Sequence, residues 1–216
     1  MRLIERVRHR YRRRDDAGFT LIELLITVII MGAIAAGVAG VLISYLKFSV
    51  DTQSRMTESL DVQFAASYWQ RDVASIGVRT YDSGSKSFPL AQSVDVTPAC
   101  TMPTGTRVVT LAWSEYDPLV LDSTVVGPTV TVSYVAKPDG TAFDLVRVRC
   151  TGSTIDSSIE VAHSLNAVPT RACDISCTGT GSNVPAIVEL SLSILDPDGN
   201  GGAAYSATLT GERRQT

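Results

Sequence analysis

Between Phe19 and Leu46 the chain reads FTLIELLITVIIMGAIAAGVAGVLISYL, 28 residues with a single charged side chain, Glu23. The uncharged part, Leu24 to Leu46, is 23 residues long. As an α-helix it extends about 34 Å, enough to cross a hydrocarbon core of about 30 Å. Immediately before it, residues 1–18 hold seven arginines against Glu5, Asp15 and Asp16, a balance of +4. Only Lys47 follows closely, so the positive-inside rule keeps the N-terminus cytoplasmic and exports what comes after Leu46. The remaining 198 residues carry 12 basic and 19 acidic side chains, a net −7. An acidic body repels polyanions, which argues against nucleic acid as the main partner.

A secretory signal peptide also pairs a basic segment with an apolar one, and Ala33-Ile34-Ala35 has the form of its cleavage site. Two features count against it: the apolar run continues about ten residues further, and an acid sits inside it. A carboxylate in a membrane costs about 2.5 kcal/mol or more, so Glu23 reads as a functional group. Gly32, Ala36 and Gly40 form a small-xxx-small ladder that lets helices approach closely, although small residues are common in membrane helices in any case.

The residues Gly18-Phe19-Thr20-Leu21-Ile22-Glu23-Leu24-Leu25 resemble the class III leader junction of type IV pilins and pseudopilins. The resemblance implies that a prepilin peptidase cuts after Gly18 and N-methylates Phe19. It also implies that Glu23 neutralises the N-terminal amine of a neighbouring subunit during assembly. The physics agrees: removing the leader exposes an α-amino group on Phe19, charged near neutral pH, and Glu23 gains a cationic partner in a low-dielectric bundle. Ser67-Tyr68-Trp69-Gln70-Arg71-Asp72-Val73-Ala74-Ser75-Ile76-Gly77 and Leu209-Thr210-Gly211-Glu212-Arg213-Arg214 are similar to segments of PilW-like minor pilins and J-type pseudopilins of type II secretion.

Past Lys47 the apolar residues Met56, Leu60, Phe64 and Tyr68 recur every fourth position, followed by Val73 and Ile76, with Asp51, Arg55, Glu58, Asp61 and Arg71 elsewhere. One helix from Phe19 to about Ile76 is expected, its apolar stripe packing on a sheet and Gly77 stopping it. Strands are expected at Arg107–Trp113, Thr129–Ala136, Phe143–Arg149, Ile159–Ala162, Ile187–Leu195 and Ala204–Thr210, with hairpin turns at Lys137-Pro138-Asp139-Gly140 and Asp196-Pro197-Asp198-Gly199. The fold class is α+β: a long N-terminal helix, transmembrane in its first half, on an antiparallel sheet. The organisation reads 1–18 leader, 19–47 membrane or filament-core helix, 48–78 amphipathic half, and 79–216 disulfide-containing β-rich domain.

Cys100, Cys150, Cys173 and Cys177 all fall in the exported part, where an even count favours disulfides over zinc. Cys173–Cys177 with Cys100–Cys150 is the preferred pairing of the three that four cysteines allow. Catalysis finds no motif, and His163, in an expected strand, reads as structural. Asp196, Asp198 and Asn200, followed by Gly201, place oxygens at alternate positions as a calcium loop does. Position twelve of that frame is Ala207 in place of the bidentate Glu, so an EF-hand is excluded, and a weak calcium site competes with a plain turn. No other cofactor is expected.

The function expected is structural: a minor pilin or pseudopilin of a type IV pilus or a type II secretion-like pseudopilus. Its partners would be other pilin-like subunits, the prepilin peptidase, the assembly platform protein and the cytoplasmic membrane. The chain would start as a single-pass membrane protein and end in a surface pilus or periplasmic pseudopilus. The rival readings are an abundant major pilin, a tip adhesin or DNA-uptake module, and a membrane-anchored enzyme.

Overall fold

The computed structural model describes residues 18–116, 124–195 and 204–214. The chain divides into two units, one ending at Ser49 and the other beginning at Val50. A single helix, α1, runs Leu21–Ser75.

In the first unit the helix begins in a way its sequence dictates. Thr20 caps it: the Glu23 N–H donates to Thr20 Oγ1 at 3.3 Å, and the Leu24 N–H to the Thr20 carbonyl at 3.1 Å. Thr-x-x-Glu is the capping-box pattern, and an acid in the first turn complements the helix dipole. Every described residue of this unit is exposed. Among the described residues α1 is the one helix long and apolar enough to cross a membrane.

In the second unit α1 packs on the sheet: of the expected stripe Val73 and Ile76 are buried and Tyr68 packs against the core, whereas its first three members turn outward. Met56, Leu60 and Phe64 are 63%, 61% and 47% exposed. Ala65, Trp69, Asp72 and Val73, with Ile76 just beyond the helix, are the buried ones, and Glu58 is buried with them. Period-four spacing finds a face but does not say which face the sheet takes. Trp69 decides it, filling the core and donating its indole N–H to the Val188 carbonyl at 3.2 Å. Gly77, at φ 151°, ends the helix as expected and turns the chain onto the sheet.

Among the described residues seven strands follow: β1 Thr106–Ser114, β2 Thr129–Asp139, β3 Ala142–Thr151, β4 Thr154–Leu165, β5 Thr170–Cys173, β6 Ile187–Ile194 and β7 Tyr205–Glu212. All pair antiparallel, in the order β1-β2-β3-β4-β6-β5, with β7 also on β6. β2 and β3 join through Gly140 at φ 57°, the turn read from the sequence, and Asp139 pairs with Ala142. β4 is longer than expected, because Thr154–Ser158, polar except for Ile155, nevertheless pairs with β3. β5 was not expected: its four residues, mostly exposed, carry no alternating signal. β6 meets β4 at Leu165 and β5 at Thr170–Cys173 along one edge, and β7 along the other. The core lies between α1 and the sheet, and Cys100 and Met102 pack against Val146, Val148 and Cys150 in a separate cluster.

Candidate functional site

The leader junction lies at the start of α1. A Cβ on Gly18 would meet nothing within 4 Å, and neither would one on Gly32, Gly37 or Gly40. A glycine inside a helix costs about 1 kcal/mol relative to alanine, so this segment keeps three that its own fold does not use. Elsewhere glycines have an internal reason: a Cβ on Gly211 would fall inside contact distance of the Val73 side chain. Phe19 and Glu23 are exposed. Beside the role that the family resemblance implies, Glu23 thus stands at the capping-box position of its own helix.

Further along, in the second unit, the uncovered side of α1 presents Met56, Leu60 and Phe64. The opposite face is held by a charge cluster that sequence reasoning missed. Asp72 from α1 accepts bonds from Arg147 Nε at 2.6 Å and Nη2 at 2.7 Å, and from the Tyr134 hydroxyl at 2.7 Å. Asp72 and Arg147 are 2% and 3% exposed, so this pair is fully withdrawn from water. Burial, reinforced by the Asp72 carboxylate, holds the Tyr134 phenol well above its usual range. Burial works against the Arg147 charge, but the bonds and charge of Asp72 more than offset it, and its pKa rises. The Arg147 guanidinium also lies 5.0 Å from the centre of the Tyr68 ring. The sequence signal was an acid three residues after a tryptophan and next to Val73, on the side that the apolar spacing left unread.

His163 sits in β4, as expected of a structural residue. Its backbone N–H and ring Nδ1 approach Asp61 Oδ2 at 3.1 and 3.2 Å, tying the strand to α1. Cys100 is joined to Cys150 and Cys173 to Cys177, with Cα atoms 6.2 and 5.5 Å apart. Asp196, Asp198 and Asn200 of the calcium reading lie outside the described residues. Among the described residues no group of three or more His, Cys, Asp or Glu is placed to hold a metal ion. The tight turn at Asp82 is closed without one: the Ser85 hydroxyl and the Gly84 N–H donate to its carboxylate and lower its pKa.

Residues 13–39 match the family model of the prokaryotic N-terminal methylation motif, a span that takes in Gly18, Phe19 and the first part of α1. No curated protein and no solved structure matches the chain.

Proposed function

We propose, from the premise that a chain with this motif is a type IV pilin-like structural subunit, that it is a minor pilin or pseudopilin. The observation that carries the proposal is the N-terminal methylation motif leading into an uncharged helical run whose side chains are all exposed and whose three glycines meet nothing in the fold. In a membrane, and then in a bundle of like helices, that surface is covered and the glycines allow close approach. Prepilin peptidase removes residues 1–18 and methylates Phe19, and the charged amine so formed pairs with Glu23 of a neighbouring subunit. Its place is the cytoplasmic membrane first and a pilus or pseudopilus afterwards, with the platform protein and other subunits as partners. The resemblance of Ser67–Gly77 and Leu209–Arg214 suggests the PilW-like or J-type branch, and residues of both segments build the helix–sheet contact of the exported domain.

Mass spectrometry of the mature chain tests this. It should begin at methylated Phe19, and Gly18→Leu should leave a precursor 18 residues heavier. Any other mature terminus overturns the proposal. Glu23→Val should be cut normally yet enter filaments poorly, and subunit stoichiometry in isolated filaments separates a minor from a major subunit.

A further inference from the structure

Among the described residues, β7 is the open edge of the sheet. The β1 edge is bridged by backbone pairing of Gly77 with Trp113 and Val94 with Leu111. β5 is four residues long, and its Arg171 is bound to Asp95 at 2.8 Å. β7 is eight residues long, in unbroken register with β6. The Arg213 N–H donates to the Ala186 carbonyl, which fixes the alternation of the ladder. Tyr205, Ala207, Leu209 and Gly211 turn their backbone groups to β6, so Ser206, Thr208, Thr210 and Glu212 turn theirs outward. Those outward groups meet no backbone partner among the described residues; the next outward N–H, that of Arg214, is already bonded to the Ala74 carbonyl of α1 at 3.2 Å, so the open edge ends at Glu212 and only the Arg214 side chain is offered beyond it.

Natural edges are blunted by charge, proline, a bulge or a cover. Tyr205 to Gly211 has no charge and no proline and its register holds no bulge; the one charged residue of β7, Glu212, stands at its C-terminal end. Beside its C-terminal end lies a groove of about 600 Å³, lined by Gln70 and Ala74 of α1 with Thr210, Glu212, Arg213 and Arg214. Arg213 is committed to the carbonyls of Val184 and Pro185. Arg214 is exposed and has no carboxylate in ion-pair range among the described residues.

We propose that β7 is a docking edge for an extended segment of a different polypeptide, which adds to the sheet beyond β7 and sets a carboxylate against Arg214. Unpaired backbone donors and acceptors in alternation are complementary to another backbone, and the free guanidinium specifies an acid at that end. The described strands of a second copy do not fit. Its β1 edge is bridged, its β5 is short, and two β7 strands paired antiparallel set Arg214 against Ala204 or Ser206 rather than an acid.

The test is amide hydrogen exchange on the full chain in detergent, with the blocked peptide acetyl-Asp-Thr-Val-Thr-Val-Thr-Asp-amide at millimolar concentration as the probe. Exchange at Ser206, Thr208, Thr210 and Glu212 should slow by about tenfold or more, with Ala207, Leu209 and Gly211 unchanged. Replacing both Asp of the probe by Lys, or Arg214→Glu in the protein, should weaken binding by about tenfold. Thr208→Pro removes an outward N–H and spares the β6 backbone ladder, so it should abolish binding; Thr208→Val, which loses the same hydroxyl bond to Ser191 but keeps the N–H, should still bind and is the control for that loss. If the Pro variant does not fold, a probe N-methylated at alternate residues makes the same cut from the other side. Unchanged exchange at saturating probe overturns the proposal, and so does equal binding of the Lys probe. Slow exchange at these amides in a dimer before any probe is added assigns the edge to a second copy and overturns it too.

Discussion

The two halves of α1 differ in apolar content, 21 of 29 residues in Leu21–Ser49 against 11 of 26 in Val50–Ser75, and put it to opposite uses. Up to Ser49 every side chain is exposed, and glycines sit where nothing approaches them. From Val50 on, the helix buries Ala65, Trp69 and Val73 and locks Asp72 onto the sheet, leaving Met56, Leu60 and Phe64 outside. The difference teaches that apolar periodicity in such a chain marks two kinds of contact, one completed by its own domain and one left for other molecules. The glycines separate them: Gly211 is required by Val73 in the same fold, whereas Gly32, Gly37 and Gly40 are required by nothing in it.

The sharpest way to break the contrast is to cut the lock on the second half. Asp72→Ala leaves the Arg147 guanidinium buried without its carboxylate and should cost about 3 to 5 kcal/mol in denaturant unfolding. Replacing Asp72, Arg147 and Tyr134 together by apolar residues of similar volume should cost far less, because no charge is then stranded. A smaller cost belongs to Gly211→Ala, whose methyl group must push into Val73. About 1 to 3 kcal/mol is expected, and Val73→Ala should relieve part of it in the double variant.

Tyr134→Phe removes one donor from Asp72 while Arg147 keeps both its bonds, and should cost about 1 kcal/mol at neutral pH. It should also change the alkaline limb of the stability curve. With the folded pKa raised, the stabilisation is fully present below the phenol's unfolded value of about 10 and is lost as pH climbs from there toward the folded value. The unfolded chain binds fewer protons across that window, so wild type should lose stability more steeply than the Phe variant. Parallel slopes in melts at rising pH would show that Tyr134 does not titrate as this burial requires.

The smallest effect on stability is expected on the uncovered side. Leu60→Ser should change unfolding by no more than about 0.5 kcal/mol, because no packed neighbour is lost. If Met56, Leu60 and Phe64 face other subunits, the same change should lower incorporation into filaments. A large loss of stability would place Leu60 in the core and erase the contrast between the two sides of the helix.

Much was legible before any coordinates. The leader junction, the length of α1, its stop at Gly77 and six of the strands follow from local patterns: an uncharged run, a glycine, alternation and turn residues. Thr20 with Glu23 was legible too, as a capping box, though the carboxylate was read only for its role in assembly. What local pattern did not carry was orientation. The spacing of Met56, Leu60 and Phe64 is the same whether they face a sheet or solvent, since periodicity gives an angle around the helix and no partner for it. Thr154–Ser158, polar except for Ile155, and short β5 are strands because β3 and β6 offer edges to pair with, which is a non-local fact.

By itself, then, the sequence determined where the chain is membrane-compatible, that it carries the N-terminal methylation motif and which stretches are helix or strand, because those depend on residues within a few positions of one another. The tertiary structure alone decided which side of α1 is core, that Asp72 meets Arg147 across 75 residues of chain, and which sheet edge is left open. A buried ion pair and an unpaired edge are properties of what lies opposite, and what lies opposite is set only when the strands close around the helix.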